Sequence, residues 1–316
     1  MSFDVIDPSD DWPEEERKVR ARRMAMYSPG AIAIARDVAY KYILFPELKT
    51  ALASFDRVYQ LSRELGIPQG VLLSGPPGSS KTSIADYFMR SLPPTADIVD
   101  GFGALYVRMR PAASAGFVVS QVLSAVRHPF TIVRPERMAS MRDIACEAML
   151  HKGTRILFVD EAQCLAVRGK ERSLDDRDTS AGNLLRELMD RANVALVLLA
   201  DHRLQHLERV DRALADRVSV RLTLAPFQND GNWGAFLGEF SRFKVIDLSS
   251  LNETSVRAAT FVATAGCRRS VKRLITEAVL VAVDDSKTAV TRAHFRLAFE
   301  RTSGPGNVTP NPYGES

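Results

Sequence analysis

One short stretch near residue 75 limits more than any other what this chain of 316 residues can fold into. Residues 71–74 are the apolar run VLLS, and they lead into GPPGSSKT, after which a helical pattern begins near Ser83. A strand, a Gly/Pro-rich turn and a helix in this order are typical of a phosphate-binding loop. Backbone N–H groups and the helix N-terminus then surround an anion. The stretch therefore predicts a nucleotide site.

The residues of this loop have separate predicted roles. Lys81 is expected to reach the β- and γ-phosphates of ATP, and the Thr82 hydroxyl is expected to ligate Mg²⁺. Ser80 stands where the usual pattern has glycine, so a positive φ at this position would be strained. The predicted nucleotide-binding residues of the loop are Gly75, Pro76, Pro77, Gly78, Ser79, Ser80, Lys81, Thr82 and Ser83.

A second motif, RILFVDEAQ at residues 155–163, supplies two carboxylates. Its apolar run ends in Asp160 and Glu161, where a central parallel strand would bring both side chains to the ligand crevice. Asp160 is predicted to hold Mg²⁺, mostly through water. Glu161 is predicted to be the general base that polarises the attacking water. The two motifs together predict ATP hydrolysis.

The order of the elements predicts an α/β domain with a parallel sheet and a smaller helical domain after it. We expect four domains or segments: an N-terminal extension (1–30), a nucleotide-binding α/β domain (31–226), a helical lid (227–302) and a disordered tail (303–316). The sequence Ser28-Pro29-Gly30 is expected to break the chain. The predicted strands are Gly70–Ser74, 104–109, 155–160, 194–200 and 218–224.

Composition excludes several other classes of protein. The chain is 46% hydrophobic and 25% charged, with a net charge of +4, which neither demands nor excludes a polyanionic partner. Its apolar runs are too short to cross a bilayer, and its acidic N-terminus does not fit a signal peptide. Three scattered cysteines without CxxC spacing favour neither disulfides nor structural zinc. We therefore expect a cytoplasmic protein.

These motifs, followed by a strand ending at Asp201 and then a helical domain, resemble the AAA+ ATPases. Residues 40–45 (YKYILF), VDEAQ, NLLRELMD and VALVLLADHRLQHL resemble in order and spacing the TniB/TnsC transposition ATPases, which are related to MuB. The resemblance implies a three-layer α/β/α core. It also implies that Asp201 is a catalytic sensor, that Arg217 or else Arg212 is an arginine finger acting on a neighbouring subunit, and that Arg269 contacts nucleotide from the lid.

The resemblance further implies a homo-oligomeric ring or filament around double-stranded DNA, contacting its backbone from loops after the second strand. Arg108 and Arg110 alternate on that strand and would share one face, and Arg127 and Arg134 follow. The implied partners are a transposase and a target-selector protein, with no membrane. The implied function is ATP-dependent recruitment and regulation of the transposase.

Two other functions fit the same motifs. One is another DNA-directed AAA+ ATPase, such as a helicase loader or an initiator. An initiator would add a C-terminal winged-helix domain, for which the residues after Arg301 leave no room. The other is a peptide-directed or secretion-associated AAA+ ATPase, which would carry a membrane segment or a peptide-binding domain.

Overall fold

A computed structural model describes residues 26–92, 102–166, 180–304 and 309–314. The chain divides into two units: residues 44–226, here called the sheet unit, and residues before 44 together with those after 226, here called the helical unit. Residues 31–43 therefore belong to the helical unit and not, as predicted, to the α/β domain. The predicted N-terminal extension lies outside the described residues up to residue 25.

The sheet unit is built on a parallel sheet, as predicted. Among the described residues it has five strands in the order β2-β3-β4-β1-β5. Strands β1, β3 and β4 are buried along their whole length, which is why they read as continuous apolar runs. Strands β2 and β5 lie at the edges and are partly exposed. The strands are β1 (Gly70–Ser74), β2 (Ala104–Arg108), β3 (Ile156–Asp160), β4 (Ala195–Ala200) and β5 (Val220–Thr223).

Helices account for most of the remaining described chain. In the sheet unit they connect the strands, and in the helical unit they make up nearly all of the structure. In chain order the helices are α1 (Pro29–Tyr40), α2 (Pro46–Gln60), α3 (Lys81–Ser91), α4 (Ala115–Ala125), α5 (Met138–His151), α6 (Ser180–Ala192), α7 (Leu207–Val210), α8 (Arg212–Arg217), α9 (Gly231–Phe240), α10 (Thr254–Thr264), α11 (Arg268–Asp284) and α12 (Arg292–Ser303). Shorter helical turns are Leu61–Leu65, Pro135–Arg137, Ala162–Ala166, His202–Leu204 and Ser249–Asn252.

Helices cover both faces of the sheet, so the unit has three layers. On one face, α4, α5 and α6 pack through residues such as Val122, Met149 and Leu188 on alternate residues of β2, β3 and β4. On the other face, Phe55 of α2 and Phe88 of α3 meet Phe158 of β3, with ring centroids 5.3–5.9 Å apart. Burying a phenylalanine contributes about 1.5–3 kcal/mol, so this cluster fixes α3 firmly over β3. The beginning of α3 and the end of β3, which carry the two motifs, are thereby held together.

Helix α1 begins at the sequence that we expected to break the chain. Ser28 is its N-cap, with its Oγ accepting a hydrogen bond from Ala31 N at 3.1 Å, and Pro29 occupies the first helical position. Proline is favoured there because its missing N–H has no helical partner. The helix packs on α11, which in turn packs on α12.

The predicted disordered tail is wrong for residues 309–314, which pack on the helical unit. Tyr313 is 2% exposed; its hydroxyl lies 2.8 Å from Thr260 Oγ1 and its ring stacks on Phe295 at 5.6 Å. Arg292 holds the backbone by donating to Tyr313 O at 3.2 Å and Gly314 O at 2.9 Å. The Tyr313 ring and the Arg292 guanidinium together anchor a segment whose composition is otherwise polar.

Two further expectations concern the chain as a whole. Within the described ranges, the structure contains no helix that is both long and apolar enough to span a membrane. Cys146, Cys164 and Cys267 form no disulfide.

Candidate nucleotide-binding and hydrolysis site

The loop between β1 and α3 is closely packed. Gly75 N donates to Ala200 O at 3.1 Å, which extends the pairing of β1 with β4. A Cβ on Gly75 would stand 2.6 Å from Leu224 O and 2.7 Å from Ser79 Oγ, so a larger residue would force the backbone to move. Gly78 has a φ of +82°, in the left-handed region that glycine adopts without strain. The path of the loop depends on both glycines.

Ser80, which stands where the usual pattern has glycine, has a strained backbone. Its φ is 73° and its ψ is 15°, a left-handed conformation that costs a residue with a Cβ about 1–2 kcal/mol. Because Ser80 turns the chain in this way, α3 begins at Lys81, two residues before the predicted start. The first helical hydrogen bond runs from Ile84 N to Ser80 O at 2.9 Å. The N–H groups of residues 81–83 precede it, at the end of the helix that attracts phosphate.

The Lys81 side chain folds back over the loop. Its Nζ donates to Gly75 O at 2.7 Å and Pro76 O at 3.0 Å, and it lies 3.3 Å from Ser79 Oγ. The ammonium group is therefore centred on the turn whose backbone N–H groups would hold a phosphate. An ammonium group has three N–H donors, so Lys81 would exchange one of these loop partners for a phosphate oxygen when nucleotide binds.

Asp160 lies at the end of β3 and is 6% exposed. Its Oδ2 accepts hydrogen bonds from Thr82 Oγ1 at 2.8 Å and from the Tyr106 hydroxyl at 2.6 Å, and its Oδ1 accepts from Glu161 N at 2.8 Å. Burial, and then the hydrogen bond to Asp160, raise the pKa of Tyr106 above its ordinary value, so the phenol stays a donor. A hydroxyl and a carboxylate in contact are hard oxygen donors of the kind that Mg²⁺ prefers. The side chains present therefore fit the predicted metal.

Glu161 follows with a left-handed backbone of its own, φ 55°. Both of its carboxylate oxygens are engaged. Oε1 lies 3.2 Å from Arg108 Nη2, and Oε2 accepts a hydrogen bond from Gln163 Nε2. Strained backbone is common at sites where a side chain must be aimed. Here it turns the glutamate toward the same edge of the sheet as Thr82 and Asp160.

The amide of Gln163 joins this carboxylate to the next strand. Gln163 is 6% exposed, and its Oε1 accepts a hydrogen bond from Asp201 N at 3.2 Å. One buried side chain thus spans from the end of β4 to Glu161. A buried amide with both ends satisfied has a fixed orientation, so the position of Glu161 is coupled to that of the β4 end.

The side chain of Asp201 is occupied locally. It caps the helical turn His202–Leu204 by accepting from Arg203 N at 2.9 Å, and Arg203 Nε donates to its Oδ2 at 2.8 Å. Burial opposes ionisation of Asp201, but the hydrogen bonds from Arg203 outweigh it and lower the pKa of the carboxyl. Asp201 therefore contacts the site through its backbone N–H, whereas its carboxylate neutralises Arg203.

The two predicted finger residues differ in their surroundings. Arg217 ends α8 and forms a bidentate ion pair with Asp190, in which Nη2 lies 2.8 Å from Oδ2 and Nε lies 3.2 Å from Oδ1. Its Nη1 lies 3.4 Å from Ala213 O. Arg212 begins the same helix and is exposed. Arg217 is held within its own subunit, whereas Arg212 faces solvent.

The predicted lid arginine belongs to the segment Gly266-Cys267-Arg268-Arg269 of the helical unit. Gly266 has a φ of +68°, and a Cβ there would lie 2.1 Å from Phe227 O. Arg268 is 5% exposed and stacks over the Phe227 ring at 4.6 Å. Arg269 is exposed in the first turn of α11. The glycine and the first arginine are structural, and the second arginine is the accessible one.

The four predicted DNA contacts do not form one row. Strand β2 ends at Arg108, whose guanidinium pairs with Glu161, so Arg108 and Arg110 do not share a strand face as expected. Arg110 turns over the Phe117 ring at 4.4 Å, and Arg127 lies over the Phe102 ring at 5.2 Å. Arg110, Arg127 and Arg134 are all exposed.

Comparison with known families decides what kind of chain carries this site. Residues 34–228, more than half of the chain, match the family described as bacterial TniB protein. The chain belongs to the TniB family. A comparison with curated proteins gave no match.

The fold of this TniB chain is that of the AAA+ ATPases. It is similar to the Aeropyrum pernix ORC1 protein in complex with DNA, with 20% identity, coverage of 82% of this chain and 66% of that one, and a TM-score of 0.60. It is similar to the A. pernix ORC2 protein in its ADPNP–ADP complexes, with 13% sequence identity, coverage of 84% of this chain and 71% of that one, and a TM-score of 0.61. It is also similar to Cdc6p from Pyrobaculum aerophilum, with 14% sequence identity, coverage of 83% of this chain and 70% of that one, and a TM-score of 0.56. The chain thus spans about two thirds of these proteins, and the likeness concerns the fold.

Three residues of the TniB site were not predicted from the sequence: Tyr106, Gln163 and Arg203. Tyr106 lies on β2, two register positions before Arg108, which pairs with Asp160. Gln163 stands two residues after Glu161, and Arg203 two residues after Asp201. The polar residue closing VDEAQ was a usable signal for Gln163, whereas Tyr106 becomes significant only through the neighbouring strand.

Proposed function

We propose that this TniB protein is a Mg²⁺-dependent ATPase that assembles on duplex DNA and recruits a transposase. The observation that carries the proposal is the meeting of Lys81, the Thr82–Asp160 pair and Glu161 at one edge of the sheet. Phosphate binding, metal binding and activation of water each need one of these groups, and a purely structural loop would need none of them.

The residues divide the work of hydrolysis among them. Lys81 and the N–H groups at the start of α3 bind the phosphates, and Thr82 and Asp160 hold the metal. Mg²⁺ would supply charge neutralisation on the phosphate oxygens. Glu161 accepts the proton of the attacking water, and Gln163 keeps its carboxylate oriented. Arg217 remains the first candidate for the finger that acts on a neighbouring subunit, because its ion pair with Asp190 joins side chains that are 37% and 53% exposed and can be exchanged for a phosphate. The exposed Arg212 is the second candidate.

Arg108 supports a link between DNA and hydrolysis. Its ion pair with Glu161 joins side chains that are 68% and 39% exposed, and such exposed pairs contribute only about 0.2–1 kcal/mol. A DNA phosphate can therefore compete for Arg108. With Arg108 on DNA, one Glu161 oxygen becomes accessible to water, and ATP turnover would rise when DNA is bound.

Binding to DNA would be electrostatic and tolerant of sequence. Arg110, Arg127 and Arg134 offer exposed guanidinium groups, and Arg–phosphate contacts weaken steeply with salt. Repetition of few contacts along a ring or filament would compensate for the modest charge of each subunit. The TniB family membership supports transposition as the process served.

The decisive experiment compares Lys81→Ala with Lys49→Ala, a control that removes an exposed lysine of α2. We expect Lys81→Ala to lose ATP binding and ATP-dependent DNA binding in filter assays, and Lys49→Ala to keep both. Glu161→Gln should bind both ligands yet stall turnover and leave persistent assemblies in electron micrographs. Normal ATP and DNA binding by Lys81→Ala would refute the proposal.

The transposase step needs its own assay. Purified protein with ATP should stimulate strand transfer by its cognate transposase on the DNA that it has bound. If it binds DNA and hydrolyses ATP but leaves strand transfer unchanged, and instead retains a replicative helicase in a pull-down, the helicase-loader function replaces this one.

A further inference from the structure

The connection between α4 and α5, residues 126–137, presents two large apolar side chains to solvent. Phe130 is 71% exposed and Ile132 is 82% exposed, the highest value among the large apolar side chains of the described residues. Single exposed apolar residues are common, whereas two highly exposed ones on a loop rich in arginine form an apolar patch rimmed by charge, which is the pattern of an interaction site. We call residues 127–134 the tip loop.

The tip loop is braced from within. His128 Nδ1 lies 3.2 Å from Phe130 N and 3.0 Å from Phe130 O, so it can accept from the one or donate to the other. The His128 and Phe130 rings are in contact, with centroids 6.0 Å apart. At the base of the loop, Arg127 stacks over Phe102 and Arg137 N donates to Arg134 O at 3.0 Å. The apolar side chains are thus held outward by a preformed loop.

Charge identifies the kind of surface that fits the tip loop. Residues 126–137 contain three arginines and a single acid, Glu136, and all of these side chains are exposed. Phe and Ile flanked by Arg are the residue types with which proteins enter the minor groove and separate stacked base pairs. A protein partner with an apolar pocket would not require the arginines.

We infer that the tip loop inserts Phe130 and Ile132 into the minor groove of duplex DNA and partly unstacks a base step, while Arg127 and Arg134 contact the flanking phosphates. This inference rests on the proposed DNA binding and deepens it, because it adds a DNA distortion that phosphate contacts alone do not produce. Each subunit of an assembly would then deform the duplex at a regular interval.

The test separates insertion from phosphate binding. Phe130→Ala/Ile132→Ala removes the apolar tip, Arg134→Ala removes one phosphate contact, and Ile67→Ala is the control for losing an exposed apolar side chain of the sheet unit (52% exposed). Each protein is assayed with ATP for duplex affinity over a salt series, for 2-aminopurine fluorescence in the duplex, and for unwinding of a relaxed plasmid. Thermal unfolding shows whether each variant is folded.

We expect the wild-type protein and Ile67→Ala to raise 2-aminopurine fluorescence and to unwind the plasmid. The double variant should lose both signals and bind about 10-fold more weakly, with its salt dependence unchanged. Arg134→Ala should keep both signals and lower the slope of log affinity against log salt by about 1.

Three results would overturn the inference. If the wild-type protein binds DNA with ATP but gives neither distortion signal, insertion is wrong while the proposed function stands. If the double variant loses ATP-dependent self-association in the absence of DNA, the tip loop is a subunit contact instead. If the wild-type protein binds no DNA in any nucleotide state, the proposed function fails together with the inference.

Discussion

The strain at Ser80 gives the most quantitative prediction. Its φ of 73° lies in the left-handed region, which costs a residue with a Cβ about 1–2 kcal/mol and costs glycine little. Ser80→Gly removes that cost but increases the backbone entropy lost on folding by about 0.5–1 kcal/mol. Since no hydrogen bond from the Ser80 side chain caps α3, no capping interaction is lost. We expect a net stabilisation of about 0.75 kcal/mol, within a range of about 0–1.5 kcal/mol.

The assay is thermal unfolding of the full chain with and without ATP, because the transition that ATP shifts reports the sheet unit. For a unit of this size, the expected gain raises the midpoint by about 1–4 °C. ATP affinity should change little, since glycine adopts the same backbone conformation. Ser80→Ala keeps the Cβ and should give no gain.

A matched control lies in the helical unit. Ser286 is exposed and has a φ of 57°, so Ser286→Gly should relieve similar strain without altering the transition that ATP shifts. If Ser80→Gly lowers the ATP-sensitive midpoint, or Ser286→Gly raises it equally, the assignment of strain to the phosphate loop is wrong.

Three further predictions follow from contacts within each unit. Arg108→Ala should raise the DNA-independent ATPase rate by about 1.4- to 5-fold, because it removes an exposed ion pair worth about 0.2–1 kcal/mol that holds Glu161. Arg110→Ala, which leaves Glu161 untouched, should leave this rate unchanged. Gln163→Ala should lower kcat by about 10- to 100-fold and leave the KM for ATP unchanged, because the lost hydrogen bond orients Glu161; an equal rise in KM would contradict this. Gly266→Ala should destabilise the helical unit by more than about 3 kcal/mol in urea unfolding, because its Cβ would clash with a carbonyl. Gly66→Ala, at a left-handed position (φ 65°, ψ 27°) whose added Cβ would meet its nearest neighbour at an ordinary 3.6 Å, should cost only about 1 kcal/mol.

The sequence predicted those parts of the fold whose cause is local. Strands β1, β3 and β4 are recognisable because strands buried on both faces must be apolar throughout. The loop at Lys81 and the carboxylates after β3 are recognisable because phosphate and metal binding dictate residue types at fixed spacing. The Thr82–Asp160 contact follows from the two motifs taken together.

The remaining features depend on contacts distant in sequence. Tyr313 looks like part of a disordered tail until Phe295 and Thr260 are brought beneath it. The role of Gln163 needs the end of β4, which lies 38 residues away. Ser28-Pro29 is ambiguous by itself, because the same dipeptide ends one helix and begins another, and only packing of α1 on α11 decides. Periodicity and composition carry no information on such pairings.

The helical unit is assembled from both sides of the sheet unit in the sequence, and this has a consequence for biosynthesis. The sheet unit is one continuous stretch, so it can fold on the ribosome as soon as residue 226 has emerged. Helix α1 is made first but packs on α11, the last long helix before α12. The apolar face of α1 therefore remains unpacked and accessible to chaperones while more than two hundred further residues are synthesised. Pulse proteolysis of stalled nascent chains should find the sheet unit protected well before α1.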